Sequence, residues 1–198
     1  MLSELELKRQ FMHILVGLVT IALIYYNVLS SFAIFFLIIA GIMLSILSKR
    51  IRIPLISHFL DHFEREEQRK NFPGKGTIFF FVGVLLSLQL FERNIAYASL
   101  LVLTFGDSIS HLFGAQFGKI KNIFNGKSQK LLEGTLAGTL AGFLGAVFFV
   151  PFPEAFLGSL GAMIAEVIKI DFNENTLDDN LVVPLVAGTV MVLVGKLV

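Results

Sequence analysis

LTFGDSISHLFGAQFG, residues 103–118, sets a carboxylate and a histidine inside a run otherwise rich in Leu, Phe, Ile and Gly. How this run is read decides the fold. The 11 residues 95–105 reach only about 16 Å as a helix at ~1.5 Å per residue, short of the roughly 30 Å of a bilayer core. A spanning helix must therefore continue through Gly106, Asp107, Ser108, Ser110 and His111. An ionisable group facing lipid at that depth costs about 2.5–3.5 kcal/mol or more, so Asp107 has to face the protein interior, a partner or a water-filled cavity. Asp107, Ser110, His111, Gly114 and Gly118 fall at offsets 0, 3, 4, 7 and 11, on one helical face. That face is polar and then bare, as a cleft wall approached by a ligand would be. The other reading is an interhelical hydrogen-bonding pair with glycines for close packing.

Composition agrees with membrane depth. The 198 residues are 55% hydrophobic and include 21 Phe, and the mean hydropathy is +0.79. This is too apolar for a soluble domain of this size. There is no cysteine, which excludes disulfides, thiolate metal sites and a cysteine nucleophile. The net charge of +1 gives no sign of a nucleic-acid partner. The N-terminal basic pair before an apolar run looks like a signal peptide, but two Glu and the lack of a small-residue cleavage site point to a retained first span.

At about 20 apolar residues per crossing, spans are expected at 11–28, 30–47, 77–91, 95–117, 132–150, 154–168 and 181–198. The expected fold is all-α: a single transmembrane domain over 1–198, with about seven transmembrane helices and one interfacial helix. An N-in, C-out orientation puts fourteen of the 16 Lys and Arg residues on the cytoplasmic side, leaving only Arg93 and Lys196 outside. In the cytoplasmic linker 49–75, Ile56, Phe59, Leu60 and Phe63 form an apolar stripe starting near Pro54, expected to lie on the leaflet. His58 and His62 share a helix face in metal-ligand spacing, although a solvated polar face accounts for them as well.

Several charged residues fall on the same cytoplasmic half. Arg9 and His13 are i,i+4 at the start of the first span, and Lys75 stands between two glycines at the start of the third. The basic loop 118–131 leads into the fifth span with Lys127, Ser128, Lys130, Glu133 and Gly134 beside a helix N-terminus, a phosphate-binding arrangement or a simple positive-inside loop. Its GKS lacks the glycine five residues earlier that a P-loop needs. Glu166 shares a helix face with Gly158 and Ala162 and should point inward, for a site or for structural pairing. Asp179 and Asn180 open the seventh span, as ligands or as helix caps. Carboxylates to hold Mg²⁺ and a basic rim to hold phosphates suit a nucleoside triphosphate.

The order KRxxxH in the first span, GDSISHLFGAQFG in the fourth, KSQKLLEG into the fifth, AEV in the sixth and DNLVVP into the seventh resembles the dolichol kinase and phytol kinase family. These membrane enzymes phosphorylate lipid alcohols with CTP and are distantly related to phosphatidate cytidylyltransferases. The resemblance implies nucleotide-binding roles for Gly106, Asp107, Gly114, Gly118, Lys127, Ser128, Lys130, Glu133 and Gly134, joined by Lys75 and Arg9. It puts the Asp-Asn and Pro of the last motif at Asp179, Asn180 and Pro184. Ser110, where family members often have Ala, departs from the pattern.

The expected activity is a CTP-dependent lipid-alcohol kinase facing the cytoplasm. Mg²⁺ would be held among Asp107, Glu133, Glu166, Asp179 and Asn180, and Asp107, His111 or His13 would receive the lipid hydroxyl. Its partners are CTP, a lipid alcohol and the bilayer; the oligomeric state is open, a homodimer included. A cytidylyltransferase would use the same CTP site. A small transporter is the non-enzymatic alternative, disfavoured because only Arg93, Glu92 and Glu154 are charged near the outer ends of the spans.

Overall fold

The computed structural model describes residues 3–51, 53–64, 69, 71–122, 130–168, 171–172 and 175–197. Among these, the helices are α1 (Glu4–Tyr25), α2 (Ser31–Ser48), α3 (Pro54–Phe63), α4 (Lys75–Leu90), α5 (Arg93–Leu101), α6 (Ser108–Phe117), α7 (Leu132–Ala146), α8 (Phe152–Ile168) and α9 (Asp179–Gly195). A two-residue antiparallel pair, β1 (Asp171–Phe172) with β2 (Asn175–Thr176), adds a minimal hairpin to the otherwise helical fold.

Local chemistry sets the helix boundaries. Ser3 accepts the Glu6 N–H at 3.2 Å, with Glu4 and Glu6 in the first turn, so α1 begins a full turn or more before the apolar run. Ser30 caps α2 in the same way, and Pro54 at the first position starts α3. Three helical stretches are long and apolar enough to cross a membrane: α1, α2 and the continuous Arg93–Phe117. α4, α7, α8 and α9 have 16, 15, 17 and 17 residues, shorter than a full crossing calls for.

Arg93–Phe117 runs through the middle of the molecule. Its central segment, Val102–Asp107, is π-helical, a wider turn often found at functional sites. α7, α8, α9, α4 and α1 surround it, and Leu100, Leu103, Val84, Met163, Val183 and Met191 form the core between them. α7 is divided lengthwise. Leu136, Leu140 and Leu144 are exposed on one side, whereas Gly134, Gly138 and Gly142 are buried on the other. A Cβ on Gly138 would lie 2.6 Å from the Gly106 carbonyl oxygen, and one on Gly134 would lie 2.6 Å from that of Ser110, so the backbones touch directly.

Candidate functional site

Five segments, α1, α3, the start of α4, the central helix and the start of α9, meet at one end of the bundle. They enclose a cleft of about 400 Å³ lined by Arg9 and His13 of α1, Lys75 and Phe80 of α4, and Asp107, His111, Asp179 and Asn180. The polar face of the central helix ends in its floor.

Asp107, His111 and Asp179 of the lining and the buried Glu166 next to them each offer one ligand atom, all within 4.8 Å of one another. Glu166 is 1% exposed and Asp107 8%. Lys130 reaches into the same group: its ammonium pairs with Glu166 and lies 3.6 Å from Asp107 Oδ1 and 3.7 Å from Asp179 Oδ2. His111 Nε2 is 3.5 Å from Asp107 Oδ1 and 4.0 Å from Glu166 Oε1. Carboxylate oxygens suit a hard cation such as Mg²⁺, and the ammonium already fills the role of one. Asn180 adds a buried Oδ1 without a hydrogen-bond partner, while its Nδ2 donates to Asp178 Oδ1 at 2.9 Å.

The capping question at α9 resolves against both residues that the sequence offered. Asp178 is the cap, accepting the Asn180 N–H at 3.2 Å, which leaves the Asp179 carboxylate for the cluster. Asp178 also stands 3.7 Å from Lys75 Nζ, so it belongs to the cleft although sequence reasoning passed over it. Glu6 and Gln10 were missed as well. They share a helix face with Arg9 and His13, and the Glu6 carboxylate accepts from Arg9 at 2.8 Å and from Gln10 at 2.9 Å. That polar face was the available signal.

Other expected residues are elsewhere. The Glu133 carboxylate is outside the four-residue group and accepts the N–H groups of Lys119 at 2.9 Å and Ile120 at 3.1 Å, tying the loop to α7. Gly106, Gly114 and Gly134 pack at the contact between the central helix and α7, and Gly118 against Leu131, so none lines the cleft. Their bare backbone serves helix packing, which for Gly114 and Gly118 was the alternative reading of the face they share with Asp107. Lys127 and Ser128 lie outside the described residues.

The stripe of α3 also differs from expectation. Leu60 is buried, and with Phe59 and Phe63 it lines the cleft rather than lying wholly on a leaflet. His58 and His62 rings sit 4.3 Å apart, and among the described residues no third metal-ligating side chain joins them. At the end of α3, Glu64 Oε1 accepts the Gly74 N–H at 2.8 Å, where Gly74 adopts φ +74°. Burial holds the Glu64 carboxyl above its usual range, against the opposing pull of the Gly74 and Lys75 N–H groups and of Arg9.

No model of a known protein family matches the chain, and no solved structure matches it significantly. The chain is 30% identical over 189 residues to an uncharacterized protein of Methanocaldococcus jannaschii, covering 94% of this chain and 92% of that protein. It belongs to one family with that archaeal protein. It is also 31% identical over 150 residues to CTP-dependent diacylglycerol kinase 1 of Schizosaccharomyces pombe, covering 65% of this chain and 63% of the yeast enzyme. That second match spans less than two thirds of the yeast enzyme.

Proposed function

We propose that the chain is a CTP-dependent kinase that moves the γ-phosphate of CTP to the hydroxyl of a membrane lipid alcohol. The observation that carries this reading is the meeting of Asp107 and Asp179, which line a cleft that also bears Met12, Val16, Phe59, Phe63 and Phe80, with the buried Glu166 and with Lys130 next to them. Charge for a nucleotide and apolar surface for a lipid chain stand side by side there. The similarity to the yeast diacylglycerol kinase supports the general activity. In the finer reading, which rests on the motif order of the sequence, the alcohol is an isoprenoid such as dolichol, another polyprenol or phytol. Diacylglycerol and isoprenoid alcohols present the same problem, a single hydroxyl on a chain that stays in lipid.

Arg9 and Lys75 on the cleft wall offer cations to phosphate oxygens. Asp107, Glu166, Asp179 and Asn180 Oδ1 would hold Mg²⁺, whose charge, when bound, screens the phosphates and polarises the γ-phosphoryl group. Asp107 orients the lipid hydroxyl and takes its proton as the bond from oxygen to the γ-phosphorus forms. The bridging bond to the β-phosphate breaks, and CDP leaves. His111 and His13, which also line the cleft, are the other groups able to accept that proton. In the seven-span, N-in arrangement favoured by the basic residues, the cleft opens to the cytoplasm.

Purified protein given CTP labelled at the γ- or the α-phosphate tests the activity. Label from γ on the lipid alcohol is the expected result; label from α on a lipid phosphate would instead identify a cytidylyltransferase. A panel of isoprenoid alcohols and diacylglycerol separates the two substrate readings. The chain has no cysteine, so single cysteines at Lys49 and Arg93 can be labelled from opposite sides of sealed vesicles to test the orientation.

A further inference from the structure

Three carboxylates crowd together where Asp107 and Asp179 of the cleft lining meet the buried Glu166, and like charges this close in a poorly solvated site need a cation among them. Lys130 supplies it. Neither oxygen of the fully buried Glu166 has a hydrogen-bond partner, so the ammonium is what balances its charge. Mg²⁺ binds carboxylate oxygens at about 2.0–2.1 Å. An ion meeting Asp107, Glu166 and Asp179 at that distance would stand against the Lys130 ammonium, and the two cations repel.

We propose that Lys130 is a resident cation holding the metal position, so that Lys130 and Mg²⁺ compete for the same three carboxylates and the metal must displace the side chain as it loads. This rests on the cleft being the metal–nucleotide site described above. A side-chain swing suffices for the exchange, and the backbone directly after Lys130 is tied down. Leu131 is bridged to Lys121, Leu132 N–H donates to the Ile120 carbonyl at 3.0 Å, and Asn122 Nδ2 donates to Thr135 Oγ1 at 2.8 Å. The four-carbon stem lets the ammonium leave the carboxylates and pair with phosphate oxygens afterwards. Lys130 would serve two partners in turn, first protein carboxylates and then nucleotide.

Mn²⁺ binding, followed by electron paramagnetic resonance on the purified full chain without nucleotide, tests the competition. Lys130→Met should bind Mn²⁺ about tenfold more tightly than wild type, and Lys130→Arg, which keeps the charge, should show no such gain. Equal affinity in Lys130→Met and wild type would overturn the resident-cation role while leaving the metal site standing. Absence of Mn²⁺ binding in every form, with and without CTP, would overturn the metal–nucleotide reading itself. Should Lys130→Met fail to fold, wild-type protein provides the second measurement. Mg²⁺ titration should raise the acylation of Lys130 by an amine reagent, read by mass spectrometry, and an unchanged extent of modification would overturn the proposal.

Discussion

α2 and the central helix Arg93–Phe117 are both apolar enough to cross a membrane, yet they occupy opposite environments. α2 is the more hydropathic of the two, and only 17% of its 18-residue window is buried, against 67% for the central helix. Phe32, Phe36, Met43 and Ile46 of α2 are all exposed. The central helix mixes Ser, Thr, Gly, Asp and His with its apolar residues and buries most of them. In lipid the rule of soluble proteins loses its force: greasy side chains gain nothing by moving inward, so interior places go to small residues that pack and polar residues that pair. A polar residue in an apolar helix is thus the better marker of the protein's inside.

The sharpest way to break this contrast is to exchange function between the two helices. Asp107→Asn should keep the fold but reduce lipid phosphorylation by about 10²–10³-fold or more, as loss of a preorganised charge at a reacting centre does. Phe36→Leu on α2 should leave activity unchanged. Labelled-CTP turnover beside thermal unfolding in one detergent compares the pair, and full activity in Asp107→Asn would remove the central helix from the chemistry.

Packing gives the next largest effect. A methyl group at Gly138 would meet the Gly106 carbonyl oxygen at 2.6 Å and Ser110 Cβ at 2.7 Å, so Gly138→Ala should destabilise by about 1–3 kcal/mol. At Gly41 in α2 the nearest atom is Cγ1 of Ile78, a side chain, at 3.2 Å. There Gly→Ala gains up to about 1 kcal/mol of helix propensity and should be near neutral or stabilising. Equal unfolding shifts for the two variants would show that burial does not separate the helices as described.

The smallest effect belongs to the border between these regions, where α3 brings Glu64 to the cleft. Its carboxyl holds a proton to higher pH than in the unfolded chain, so the folded state binds more protons in the interval above the ordinary Glu range. Stability is therefore greatest below that interval and declines as pH rises through it. Glu64→Gln, which keeps an acceptor for the Gly74 N–H, should flatten this part of the profile of unfolding temperature against pH. An unaltered profile would assign the slope to other groups.

Much of the architecture is legible in the sequence. Hydropathy locates α2, α4 and the four later helical segments to within a few residues and places α1 with its start seven residues late, and Pro54 marks α3, because lipid and backbone hydrogen bonding allow an apolar run of that length little but a helix. Helical spacing sets Asp107 and His111 on one face, and Glu166 on the face of Gly158 and Ala162. Spacing along a single helix carries no information about the neighbouring helix. It gave Gly114 and Gly118 an open cleft where Gly134 and Leu131 lie against them, and it left the choice of cap at α9 between Asp179 and Asn180 when Asp178 takes it. Glu133, in the first turn of α7, is only three residues from Lys130, yet its carboxylate ties down backbone N–H groups while the ammonium enters the acidic cluster.

By itself, then, the sequence determined which segments are helical, which residue types are available for chemistry and which side of the membrane their charges favour, since all three follow from local composition and period. Only the tertiary structure decided which of those residues meet. Contact between Lys130 and Glu166, or between Gly138 and Gly106, depends on how helices far apart in the chain pack, and in lipid that is set by the small residues and paired charges through which their backbones can approach.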